Sequence, residues 1–173
     1  VLQAEAAGFG TQQIRTTVSV GSRSTIDFKM EVGKVGEAVT VSESTTQVNL
    51  ETQTLQSVIT TRQVTELPSL TRNPYAFVVT SGNVQGDAPE SARGVGVAIN
   101  GLRSASTGIL LDGVYNTNDF DVSVGQSVPL DAVQEYSVLT SNFTAEFGRA
   151  SGGVVNLVVK GGANDFHGSA YWF

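Results

Sequence analysis

The sequence predicts an α+β fold: a small mixed β-sheet with short helices, preceded by part of a β-sandwich. Three observations predict it. Valine and isoleucine total 30 residues against 11 leucines, a balance that favours half-buried strands over helices. There are 19 glycines and only 4 prolines, so turns are frequent and the stretches between them short. Two of those stretches open on capping residues and hold their apolar residues at helical spacing. The length of 173 residues allows one ordinary domain, or one domain and part of another.

Residues 1–32 read as strands alone. The run A-G-F-G from Ala7 to Gly10 turns the chain. Ile14, Thr16, Val18 and Val20 then alternate with polar neighbours, as do Ile26, Phe28 and Met30 after a turn at Gly21 and Ser22. So few strands do not make an independent sandwich. The segment is expected to close a sandwich whose first half lies upstream, in a longer protein. Residues 33–52 read as a linker, loosened by Gly33 and Gly36, with one short alternating stretch from Glu37 to Val41.

Residues 53–165 read as a second, mixed unit. Thr61 is placed to cap a short helix through Leu67, stopped by Pro68. Thr71 is placed to cap another, with Pro74 in its first turn and Tyr75, Val78 and Val79 turned inward. A glycine-rich loop follows from Ser81 to Gly94. Val95, Val97 and Ile99 form a strand that ends at Asn100–Gly101. Thr107 to Leu111 form another, ended by the tight-turn pair Asp112–Gly113. Asn116 to Gly125 is polar loop. Pro129 and Asp131 start one helical turn, whose acidic group complements the dipole. Gln134 to Thr140 is a strand. Val154, Val155, Leu157, Val158 and Val159, between glycine pairs, read as a strand buried on both faces. Residues 166–173 begin something new.

Composition removes several kinds of chemistry. With no cysteine there is no disulfide, thiolate metal site or cysteine nucleophile. A single histidine, His167, leaves no multi-histidine metal site. Net charge of −6 opposes a sequence-independent grip on nucleic acid. No apolar run nears the roughly 18 residues of a membrane helix. No G-x-S-x-G elbow or Walker loop is present, and Gly94–Val95–Gly96 lacks its third glycine because Ile99 stands there. Asp112, Asp119, Asp121 and Asp131, with Asn116 and Asn118, supply oxygen ligands of a kind that calcium accepts. Their spacing lacks the central glycine and terminal glutamate of an EF-hand, and a solvated polar loop is the simpler reading. The sequon Asn142–Phe143–Thr144 has chance-level spacing. No catalytic residue, metal or cofactor is expected.

The most informative stretch runs from Pro129 to Lys160. It reads P-L-D-A-V-Q-E-Y-S-V-L, then A-E-F-G-R-A-S-G-G-V-V-N-L-V-V-K. This resembles the end of the plug domain of TonB-dependent outer-membrane receptors. Upstream, N-G-L-R at Asn100 to Arg103 and L-L-D-G-V at Leu110 to Val114 resemble two further plug motifs, in the same order. The resemblance spans about residues 53–165. Residues 1–32 resemble the close of a carboxypeptidase-regulatory-like domain. L-P-S-L-T-R-N-P-Y and the final G-A-N-D-F-H-G-S-A-Y-W resemble the Oar-like group, in which residues 166–173 would start the first barrel strand. Two departures bar the transfer of a particular ligand. Thr140 to Phe143 reads T-S-N-F where the family has R-G-P, and Val159 replaces a threonine.

The resemblance implies a gate inside the β-barrel of a Gram-negative outer-membrane transporter, and no enzyme. Glu37, Ala38, Val39, Thr40 and Val41 resemble a TonB box, the segment gripped by a periplasmic energy transducer. Arg103 and Arg149 would meet glutamates on the inner wall of the chain's own barrel. Asn83, Gln85, Asn116, Asn118, Asp119 and Asp121 would lie on outward loops that meet an unknown extracellular ligand. The alternative is a secreted β-rich adhesion or carbohydrate-binding module. A hydrolase fragment is disfavoured, because no nucleophile–base pair is present.

Overall fold

A computed structural model describes residues 1–16, 18, 20, 25–32, 39–41, 53–69, 72–86, 93–166 and 168. The chain divides into two compact units, Val1–Thr52 and Gln53–Phe173. Thr71, Glu37, Ala38, His167 and the terminal aromatic run from Tyr171 lie outside the described residues.

The first unit holds a three-stranded sheet in the order β1 (Leu2–Ala4), β2 (Gln12–Ile14), β3 (Val39–Val41). β1 and β2 are antiparallel, with Gln3 opposite Gln13. The A-G-F-G turn joins them: Gly8 has φ +86°, and the Phe9 amide donates to the Ala6 carbonyl at 3.1 Å. β3 lies parallel to β2. The strand expected to run on to Val20 stops at Ile14. The strand expected over Ile26 to Met30 is absent too. Its alternation survives as exposure, since Ile26, Phe28 and Met30 are half-buried and Asp27 and Lys29 exposed. A strand needs a neighbour to pair with, and among the described residues this segment is attached at points rather than along a ladder. The Gly10 amide donates to the Glu31 carbonyl at 3.0 Å, Gln12 Nε2 donates to the Lys29 carbonyl, and Phe9 bridges Val32.

The second unit is built on a five-stranded mixed sheet. Its strands are β4 (Leu55–Ile59), β7 (Thr107–Leu111), β8 (Val114–Tyr115), β9 (Val133–Ser141) and β10 (Gly153–Val159), in the order β4-β9-β10-β7-β8. β10 is central, antiparallel to β9 with Leu157 opposite Tyr136, and parallel to β7 with Val155 opposite Ile109. Val154 and Val155 point to opposite faces and both are buried, as the apolar run, interrupted by Asn156 alone, predicts. A separate two-stranded ribbon pairs β5 (Val84–Gly86) with β6 (Val97–Ile99). β5 falls in the stretch expected to be loop, and β8 was not foreseen. Ile59, Val78, Val97, Ile99, Ile109, Tyr136, Val138, Val155 and Leu157, each 2% exposed or less, form the core.

The caps sit close to their expected places. Helix α1 (Thr61–Glu66) is capped by Thr60, one residue earlier than expected, and the Thr60 amide donates to Gln63 Oε1 at 2.9 Å. Pro74–Thr80 is a 3₁₀ helix capped by Asn73, whose Oδ1 accepts from the Tyr75 amide at 3.0 Å. With three residues per turn, Pro74 and Phe77 share one inward row and Tyr75 and Val78 the next. Val79, expected inside, is therefore 40% exposed. The one-turn helix after Pro129 forms as Leu130–Ala132.

Candidate functional site

The sheet positions a polar loop, residues 116–126, between β8 and the turn at Leu130. Asn116 closes it. Its Oδ1 accepts the Gln126 amide at 2.8 Å, and its Nδ2 donates to the Gln126 carbonyl at 3.0 Å. Thr117 bridges Val124, and the Asn118 amide donates to the Ser123 carbonyl at 2.9 Å. Asn118 Oδ1 accepts the Phe120 amide, and Asp121 Oδ1 accepts both the Ser123 amide and its hydroxyl. The Ser123 hydroxyl, before any other group, holds the Asp121 carboxyl below its usual pKa. Val122 has φ +61°, costly for a β-branched side chain. The loop is thus internally tied, and it carries Phe120 at 90% exposure on its outside.

Asn83 and Gln85 are both exposed, beside the β5–β6 ribbon. Asn83 sits in the turn that leads into β5, with φ +61°, and its carbonyl accepts the Asn100 amide at 2.9 Å. Gln85 lies within β5 rather than in a loop. Asn100 Nδ2 donates to the Thr140 carbonyl at 2.5 Å and the Gly152 carbonyl at 3.2 Å, which ties the ribbon to β9 and to the approach to β10.

Arg103 is exposed, and its carbonyl accepts the Ser106 amide at 2.9 Å. Arg149 Nη1 meets Asp119 Oδ1 at 3.0 Å, and its guanidinium carbon lies 5.3 Å from the centre of the Tyr115 ring. The structure therefore joins two residues that sequence placed on different surfaces, one toward a barrel wall and one toward a ligand. The side chains are 66% and 75% exposed, so the pair stabilises by no more than about 1 kcal/mol. Arg149 also has φ +71°, a region that favours glycine. Arg149→Gly is accordingly expected to match or exceed Arg149→Ala in stability, by up to about 1 kcal/mol in urea titration. A less stable glycine variant would show that side-chain contacts outweigh the backbone term.

The remaining acidic residues serve separate structural purposes. Asp112 Oδ1 accepts the Val159 amide at 3.0 Å. Asp131 pairs with Arg72, and its carbonyl accepts from Lys160 Nζ at 2.8 Å. These groups line an open cleft of about 610 Å³ with Val64, Leu67 and Leu130. One buried feature escaped the sequence. Tyr75 and Tyr136, 3% and 0% exposed, have hydroxyls with no hydrogen-bond partner among the described residues. Burial pushes Tyr75 up to about 12, and Asn116 nearby, short of hydrogen-bond geometry, offsets a part of that. Burial, with Tyr75 as a neighbour, raises Tyr136 further. Residues so far apart in sequence leave no local signal of such a meeting.

The second unit is a mixed sheet with short 3₁₀ turns and internally tied polar loops. The family model described as TonB-dependent Receptor Plug Domain matches residues 48–155, more than half of the chain, and the chain belongs to that family. It is 42% identical over 77 residues to the TonB-dependent transporter Oar of Myxococcus xanthus, covering 44% of this chain and 7% of that protein. The fold matches the outer membrane transporter YddB from Escherichia coli with a TM-score of 0.53 and 20% identity, over 61% of this chain and 17% of that one. The siderophore receptor PirA from Acinetobacter baumannii is 26% identical over 64% of this chain and 18% of its own, at a TM-score of 0.48. The chain thus spans a small part of the length of these relatives. The family is one of receptors and transporters, which displaces the secreted adhesion or carbohydrate-binding alternative.

Proposed function

We propose that this chain gates an active transporter in the outer membrane, with its plug inside the chain's own β-barrel and its amino-terminal part in the periplasm. The observation that carries this reading is the match of residues 48–155 to the plug family, a span that includes most of the five-stranded sheet. A barrel of about 22 strands encloses a lumen too wide for its own side chains to fill, so a folded unit must occupy it. A unit with an apolar core and tied polar loops suits a water-lined lumen. Loop residues Asn83, Asn116, Asn118, Asp119 and Asp121, with Gln85, would face the extracellular ligand. Arg103 and Arg149 would hold the plug in register against wall carboxylates. The weak Arg149–Asp119 pair lets Arg149 exchange partners at little cost.

Coupling would run through Glu37, Ala38, Val39, Thr40 and Val41, gripped by a TonB-type periplasmic transducer through main-chain hydrogen bonds. Proline at Val39 or Val41 removes a backbone donor. Each variant is expected to abolish capture of this chain by the transducer's periplasmic domain, and unchanged capture of both would end the coupling reading. For the gate, removal of residues 53–165 from the receptor is expected to open a large conductance in planar bilayers. A barrel that stays closed would exclude a plugging role.

A further inference from the structure

We infer that the neck of the 116–126 loop is a latch, which opens when the Asn116 side chain leaves Gln126 for the hydroxyl of Tyr75. Asn116 makes three bonds across the neck. Its Oδ1 accepts the Gln126 amide at 2.8 Å, its Nδ2 donates to the Gln126 carbonyl at 3.0 Å, and its own carbonyl accepts the Gly125 amide at 2.9 Å. The Asn116 backbone is also held from the sheet side, where its amide donates to the Ile109 carbonyl of β7 at 2.8 Å. The side chain can therefore swing about a fixed pivot while the sheet stays whole. Gly125 sets the fit of the closed neck. A Cβ there would lie 3.1 Å from Asn116 Oδ1, tighter than side chains normally approach.

Tyr75 supplies the second position. It is 3% exposed, and its hydroxyl is without a partner among the described residues. The Asn116 side chain lies beside it, short of hydrogen-bond geometry while it faces Gln126. A phenol hydroxyl both donates and accepts, so either end of the amide can pair with it. A buried hydroxyl without a bond is costly, and the closed neck carries that cost where the open one removes it. Gln126 is exposed, so water satisfies the backbone groups that opening frees. The tip of the loop moves as one piece, because Asn118 and Asp121 tie it internally. On the reading that this loop meets the ligand, a ligand that prefers one position of the tip shifts the latch and alters the core around Tyr75.

The test is amide hydrogen exchange on the whole chain without ligand, so its failure would leave the ligand-facing reading of the loop untouched. Relative to its intrinsic rate, the Gln126 amide of the wild type is expected to exchange at least about a hundredfold faster than the buried amides of β10, since a latch opens without unfolding the sheet. Tyr75→Phe removes the second partner and is expected to slow exchange at Gln126 about fivefold. Tyr136→Phe deletes the neighbouring buried hydroxyl, and Gln126 is expected to stay within about twofold of wild type. Gly125→Ala crowds the closed neck and is expected to speed exchange at Gln126. Unchanged or faster exchange in Tyr75→Phe would overturn the inference. Equal slowing in both tyrosine variants would do the same, by reporting a general tightening of the core. No acceleration in Gly125→Ala would show that Asn116 does not hold the neck. Exchange at Gln126 that keeps pace with β10 would show that the neck opens only when the unit unfolds, and either result sinks the latch.

Discussion

Gly153→Ala is expected to cost the second unit about 3 kcal/mol of stability, read as a lower urea midpoint with an unchanged slope. Gly153 opens β10, the central strand. A methyl group there would lie 2.8 Å from two carbons of the Ile99 side chain and 2.8 Å from the Leu139 carbonyl oxygen. Ile99 is itself 0% exposed, so its side chain has nowhere to retreat. The Leu139 oxygen belongs to β9, whose register against β10 is fixed by the pairing of Leu139 with Val154. Relief therefore requires two strands to separate or the β5–β6 ribbon to lift away, and either loses packing across the core. Gly161, with nothing within 4 Å of an added methyl, supplies the comparison. Gly161→Ala is expected to stay within about 0.5 kcal/mol of wild type. Equal effects at the two positions would show that the close approach at Gly153 is relieved by small local shifts.

The strands that sequence made legible are those whose burial is set by position in the sheet. β9 and β10 are long, and β10 has a strand on each side, so its valines need not alternate with polar residues. β7 carries its own stop signal, with Asp112 and Gly113 both at positive φ. β5 was illegible because Val84–Gly86 lies among Asn and Gly residues of low strand propensity and exists through its partner β6. Tertiary pairing there overrides local preference. The reverse holds for Ile26, Phe28 and Met30, where the alternating pattern is present and, among the described residues, a ladder partner is not. In the candidate site, motif order revealed the plug, and polar composition the loop that begins at Asn116. The pairing of Arg149 with Asp119 spans 30 residues, and no periodicity reports a contact at that separation. Asn116 illustrates a second limit. Its polar type gave no sign that both ends of its amide are occupied in closing the loop.

Raising the pH above about 10 is expected to destabilise the second unit steeply, because of Tyr75 and Tyr136. In the unfolded chain a tyrosine titrates near pH 10. In the folded unit Tyr75 is pushed up to about 12 and Tyr136 higher still, mainly by burial. Below the unfolded value both states hold their protons, and these two groups give stability no pH dependence. Above it the unfolded chain releases protons that the folded unit retains, so each added pH unit favours unfolding by about 1.4 kcal/mol per tyrosine until the folded values are reached. Two such groups over about two pH units remove about 5 kcal/mol, comparable with the whole stability of a small domain. The double variant Tyr75→Phe, Tyr136→Phe isolates this contribution from other alkaline titrations. Near neutral pH it should be as stable as wild type or more so, since it removes two hydroxyls with no partner among the described residues. Between about pH 8 and pH 11 its urea midpoint should fall much less than that of the wild type. Parallel declines in the two proteins would mean that the phenols reach water and ionise in the folded state, and would place the weak point of the unit elsewhere.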